Sequence, residues 1–202
     1  MNRRMFALLL LATPLMTGCG YNRIQSLTQE VDAAQGNIQT QLQRRADLIG
    51  NLVNTVKGYA QHEETIFTQV AAARSGLQNA VQSKDPVQMA NANAELTGAL
   101  SRLLVTVEAY PNLKADAQFT GLRDELAGTE NRIATARTDY NNAVKTYNTQ
   151  ITTFPTVLTA KATGAKPKPY FEATSASANT APTVDFSKPA PATPPPAAGK
   201  KP

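Results

Sequence analysis

The chain has 202 residues, a formal net charge of +5, one histidine, one cysteine and no tryptophan, which leaves room for one domain and little material for chemistry. Metal centres and acid–base catalysis draw on several His, Cys, Asp and Glu residues brought together, so both are disfavoured. Residues 19–154 carry 12 basic and 13 acidic side chains, and beyond Phe154 six lysines face only Glu172 and Asp185; cations gathered at the ends rather than on one face argue against nucleic-acid binding.

The N-terminus reads as a lipoprotein signal over residues 1–18. Asn2-Arg3-Arg4 form a basic start, Phe6 to Leu11 a short apolar run, and Met16-Thr17-Gly18 precede Cys19. The signal peptidase needs small residues before the cut, and the thiol must stand at the new N-terminus to receive diacylglycerol. The run is too short to span a bilayer, which takes roughly 20 apolar residues, and Pro14 interrupts it. Cys19 is therefore the expected lipidation site, with palmitate-type chains fixing the protein to a membrane face. Once it is acylated no thiol remains for disulfides or zinc. Gly20 rather than aspartate after the cysteine points to the outer membrane, facing the periplasm, if the envelope is Gram-negative.

From Tyr21 to Phe154 only Pro86 and Pro111 occur, so this region can be helical throughout. A first stripe, Ile24, Leu27, Val31, Ala34, Ile38, Leu42, Arg45, Leu48, Leu52, Val56, falls on one helix face. Gly58 is the expected stop, through a left-handed C-cap. A second stripe runs Glu63, Ile66, Val70, Arg74, Leu77, Val81. Asp85 is placed to N-cap the next helix, with Pro86 at its first position. The third stripe, Leu96, Leu100, Leu103, Val107, Tyr110, stops at Pro111. The fourth is Phe119, Leu122, Leu126, Glu130, Ile133, Arg137, Tyr140, Val144, Tyr147, Ile151, Phe154, stopped by Pro155. The expected fold is all-α, an antiparallel up-and-down bundle of two long and two short helices over 19–155. The long pair would extend about 55 Å and continue as a two-helix extension toward the lipid. The spacing 52, 56, 59, 63 also permits one unbroken helix to Val81, which gives an alternative of three long helices.

Five charges fall on these stripes: Arg45, Glu63, Arg74, Glu130 and Arg137. A charge on a core stripe costs several kcal/mol, of order, unless paired. The expectation is structural ion pairs that set helix register, with Glu130 or Glu108 the carboxylate that meets Arg45 or Arg137. No catalytic residue and no metal ligand set is expected; Glu63 and Glu64 beside His62 lack a second histidine, and His62 reads as a solvated residue near a turn. Residues 156–202 hold most of the prolines, ending in Pro194-Pro195-Pro196, and read as a Pro/Ala/Lys-rich tail, mostly disordered from about Thr163 because it cannot bury enough apolar surface; docking of Tyr170-Phe171 or Phe186 on the bundle is the open alternative.

Several blocks resemble the LemA family: Gln43-Arg44-Arg45-Ala46-Asp47-Leu48, Asn51-Leu52-Val53, Val56 to Glu63, Ala73-Arg74, Glu108 to Lys114, and Glu130 to Asn141. Tyr170-Phe171 and Val184-Asp185-Phe186 look like a trailing family segment. The resemblance implies an antiparallel helical bundle on the bacterial envelope and implies no reaction. Many members begin with a transmembrane helix, for which a lipid substitutes here.

The sequence thus points to a non-enzymatic, lipid-anchored scaffold or adaptor without cofactor. Its expected partners are the membrane, through the lipid, and an envelope protein, with no nucleic acid and no small-molecule substrate. Two other classes stay open: an accessory subunit regulating an envelope protease or assembly factor, and a cell-envelope hydrolase. An adaptor would recover a stoichiometric protein in a pull-down; a hydrolase would turn over substrate alone.

Overall fold

A computed structural model describes residues 3–60 and 62–173, with side chains from Gly20 onward. Among the described residues there are six helices and no strand: α1 Arg3–Lys57, α2 Glu64–Ser83, α3 Pro86–Val107, α4 Pro111–Lys114, α5 Ala117–Thr152 and α6 Thr156–Thr163. The break after Lys57 selects the version with two long and two short main helices. Its cause differs from the expected one. Gly58 does not take a left-handed backbone; the turn is built from Gly58, Tyr59 and Ala60 amides donating to the carbonyls of Thr55 and Val56. The left-handed C-cap belongs instead to Lys84, at the end of α2 (φ 57°). Asp85 then accepts from the amides of Val87 and Gln88, and Pro86 opens α3.

Pro111 does not simply end the third helix. α3 stops at Val107, and Pro111 starts the single turn of α4, whose Leu113 is fully buried. Asp116 next caps α5 by accepting from the Phe119 amide at 2.8 Å.

α1 lies along α5 and α2 along α3, and α1–α2 contacts join the pairs. Cross-links fix the directions. Tyr59 meets Asp116 and Arg45 meets Glu130, so α1 and α5 are antiparallel. Gln35 meets Lys84 and Ala46 meets Arg74, so α1 and α2 are antiparallel. The core runs from Ile24 to Val56 on α1 and includes Phe67, Val70, Leu77, Leu96, Leu103, Phe119, Ile133, Tyr140 and Val144.

Two stripes are rotated from the sequence reading. On α2, Phe67 and Ala80 are buried while Ile66 and Val81 are only partly so. On α5, Thr129 and Ala136 take the inward positions, leaving Glu130 and Arg137 exposed. Steps of three and four fit either phase, and the packed one places small residues against α1. Phe154, expected at the end of the fourth stripe, is 76% exposed.

The largest correction concerns the boundary at 155. On the part of α1 that extends beyond the short helices, Leu27 and Val31 are fully buried. α6 turns back against α1 and α5, and an extended segment follows it. Gly164 provides the reversal with φ 70°, a conformation that glycine adopts without strain. The extension is therefore more than a pair of helices, and residues 156–173 belong to the fold rather than to a disordered tail. Phe171 is 3% exposed and supplies the apolar surface that composition had hidden. Val184-Asp185-Phe186 and the prolines after them lie outside the described residues.

Candidate functional site

Arg45 is the focal polar residue. The stripe Leu42, Arg45, Ile49, Leu52 faces inward, and Arg45 is 5% exposed. Its guanidinium donates to Asn93 Oδ1 at 2.6 Å and Thr97 Oγ1 at 3.1 Å, and lies 2.6 Å from Glu130 Oε2. Asn93 and Thr97 are four apart on α3, so they share one face. Three helices thus converge on one cation. Its Nε is buried without a partner. Burial lowers the Arg45 pKa from its ordinary value and the Glu130 carboxylate partly offsets this; an arginine stays charged regardless.

A groove of about 350 Å³ opens between α3 and α5 at this point. Leu52, Leu100, Leu104 and Leu126 give it apolar walls, with Arg45 and Glu130 among the lining residues. Such a surface can hold an apolar group beside a charge. It offers no nucleophile with an adjacent base.

The other expected ion-pair residues lie elsewhere. Glu63 is half-buried and accepts from the Tyr110 hydroxyl at 3.0 Å, a hydrogen bond that raises the Tyr110 pKa. Arg74 donates from Nε to the Ala46 carbonyl at 2.6 Å and only grazes Asp47 at 4.0 Å. Glu108 pairs with Lys114 on the surface, which holds its carboxyl below the usual range. Arg137 is exposed on α5. So of the six residues, Arg45 and Glu130 come together, and Arg45 alone is buried. The reason is length: glutamate and arginine at the edge of a stripe reach solvent or a neighbouring carbonyl without entering the core. His62 is exposed in the turn before α2. Cys19 falls within the span of α1, and its side chain lies outside the described residues.

Sequence reasoning missed a second polar system that holds the segment after α6. Asn148 accepts from the Lys168 amide at 2.8 Å and donates to the Lys168 carbonyl at 2.9 Å. Asn141, seven residues earlier on the same face, accepts from the Phe171 amide at 2.9 Å. Tyr140 donates to the Pro169 carbonyl at 2.9 Å, and Lys168 Nζ reaches Asp32 at 2.6 Å. The i, i+7 asparagines were the available signal: one side-chain amide can both give to and take from an extended backbone.

Among the described residues no group of three or more His, Cys, Asp or Glu side chains is arranged to hold a metal ion, and no helix is long and apolar enough to cross a membrane.

Comparison with known proteins gives this arrangement a context. Magnetosome protein MamQ 2 of Paramagnetospirillum magneticum is 30% identical over 185 residues, covering 80% of this chain and 67% of that protein. Magnetosome protein MamQ of Magnetospirillum gryphiswaldense is 27% identical over 175 residues, 75% of this chain and 64% of the relative. Protein LemA of Metamycoplasma hominis is 26% identical over 121 residues, 59% of this chain and 54% of the relative. The profile of the LemA family matches residues 34–186, a span that takes in the Arg45 cluster, both clamping asparagines and the docked segment, and on that match the chain belongs to the LemA family.

Proposed function

We propose that this protein is a non-catalytic helical scaffold or adaptor of the bacterial envelope, held to a membrane by a lipid on Cys19. The observation that carries the reading is continuity. α1 is one helix from Arg3 to Lys57, so the residue expected to bear the lipid stands directly below the buried stripe that begins at Ile24. A lipid there would bind the whole rod to the bilayer with no flexible linker, and the groove between α3 and α5 would stand well away from the surface. Membership of the LemA family supports the same picture. The outer membrane is the expected destination in a Gram-negative cell, with Gly20 as the sorting residue.

Mass spectrometry of the mature N-terminus tests the anchor: an acylated Cys19 is expected, with Cys19→Ala accumulating as unprocessed precursor. An unmodified cysteine, or a mature start elsewhere, removes the anchor from the proposal. A detergent pull-down with the lipid intact tests the adaptor role, with a stoichiometric envelope protein as the expected result. Turnover of an envelope substrate by the purified chain alone would overturn it.

A further inference from the structure

Three large apolar side chains lie exposed beside the position of Cys19, where the rod would end once residues 1–18 are removed. Tyr21 is 47% exposed, Phe154 76% and Leu158 61%. The chain brings them to one place. Gly20 sits so close to α6 that an added β-carbon would lie 2.8 Å from Thr159 Oγ1. Tyr21 follows Gly20, and Leu158 precedes Thr159. Phe154 is one turn before Leu158, in the bend after α5, where the Val157 amide donates to the Thr153 carbonyl at 2.9 Å and the Leu158 amide to Pro155 at 3.1 Å.

The charges nearest Tyr21, Phe154 and Leu158 along the chain have one sign. No Asp or Glu occurs from Cys19 to Gln29 or from Tyr140 to Phe171, whereas Arg23, Lys145, Lys161 and Lys166 fall in those stretches; Lys168, farther along, is paired with Asp32. Arg23 on α1 and Lys161 on α6 are both exposed. Aromatic and aliphatic groups ringed by cations suit the boundary between acyl chains and anionic headgroups, where the ring or alkyl part is buried and the charge meets phosphate.

We propose that Tyr21, Phe154 and Leu158, with Arg23 and Lys161 at their margin, form a foot that enters the headgroup layer of an anionic bilayer. The proposal rests on the tethered reading above for its choice of a lipid surface over a protein one. Tyr21 is two residues beyond Cys19 on one helix, about 3 Å along the axis at 1.5 Å per residue. An acyl anchor on Cys19 therefore presses this end, and no other part of the rod, against the membrane. The foot adds buried apolar area and headgroup contacts to an anchor whose chains already hold the protein, so it sets how the rod stands on the surface rather than whether it binds.

The chain has no tryptophan, so Phe154→Trp and Leu158→Trp are clean reporters at exposed positions. Val105→Trp, on α3 and 73% exposed, is the control away from the foot. Each full-length variant is reconstituted in phosphatidylglycerol–phosphatidylcholine vesicles with brominated acyl chains, and its N-terminus is read by mass spectrometry. The expected result is blue-shifted emission, quenched several-fold more at 154 and 158 than at 105. Solvent-like emission at all three positions in an acylated, vesicle-bound chain overturns the foot and leaves the tether standing. Quenching at 154 and 158 in a chain found to be unacylated supports the foot and removes the tether. An unacylated chain that stays unquenched overturns both.

Discussion

The Arg45 guanidinium is buried 2.6 Å from the Glu130 carboxylate, while about half of the Glu130 side chain remains in solvent (6% and 50% exposed). This asymmetry decides what each substitution does. Glu130→Gln leaves a buried cation with only neutral partners, Asn93 and Thr97. It should cost about 2–3 kcal/mol, below the about 3–5 typical of a fully buried pair because half the carboxylate is hydrated. Arg45→Met removes the buried charge and frees Glu130, Asn93 and Thr97 to take water, so it should cost under about 1 kcal/mol. Denaturant melts of the two variants measure the difference; equal losses would show that the pair does not depend on which partner is buried. Arg137→Ala, on the exposed face, should stay within about 0.5 kcal/mol of the parent.

Alkaline pH should loosen the end of the rod at Tyr140. Burial is the main cause that pushes its phenol up to about 12 from 10.0, with the negative charges of Asp32 and Asp85 adding to it. The unfolded phenol then loses its proton at lower pH than the folded one. Its contribution, about 2–3 kcal/mol for a shift of this size, is complete below pH 10 and is lost as pH rises toward about 12. Tyr140→Phe keeps the ring packed and gives up the bond to the Pro169 carbonyl, about 1 kcal/mol at neutral pH. The variant should therefore start lower and lose less stability across the alkaline range. Parallel decline of both proteins would place the sensitive group elsewhere.

The helices were legible because their stripes are long, and because Asp85 and Pro86 signal a helix start by mechanisms that need no tertiary contact. The charges were less legible. Steps of three and four fit Arg137 as well as Ala136, and only packing against α1 selects alanine. The docked segment was hidden for another reason. Lys166-Pro167-Lys168-Pro169 looks like linker by composition, yet the two prolines need no amide partners, and Asn148 and Asn141 satisfy the flanking amides of Lys168 and Phe171.

Helix glycines offer a graded test of packing. Gly98 in α3 has open space where a β-carbon would go, so Gly98→Ala should stabilise by about 0.5–1 kcal/mol through helix propensity alone. Gly50 in α1 faces the Arg74 guanidinium, 3.2 Å from the added carbon. There the same gain is opposed by displacement of an arginine that donates to the Ala46 carbonyl. Gly50→Ala should be near neutral. Thermal melts of the two variants should separate by several degrees; identical shifts would mean that Arg74 moves aside freely.

The docked segment after α6 should behave as structure, not as an appendage. Phe171 fills the core at 3% exposure, so Phe171→Ala should cost about 3 kcal/mol, as for other buried phenylalanines. Asn148→Ala removes both bonds to the Lys168 backbone but leaves those groups near solvent, where water replaces the amide, so about 1 kcal/mol is expected. Both changes open the same stretch. Chymotrypsin should then cut faster after Tyr170, two residues beyond Lys168, whose side chain is otherwise engaged with Asp32 and lies over the Tyr147 ring. The two readouts separate the possibilities. Faster cleavage with an unchanged melting temperature would mean that the segment peels away without disturbing α1 and α5. Faster cleavage with a lower melting temperature means that the segment contributes to the stability of the whole fold, which is the outcome that the burial of Phe171 predicts.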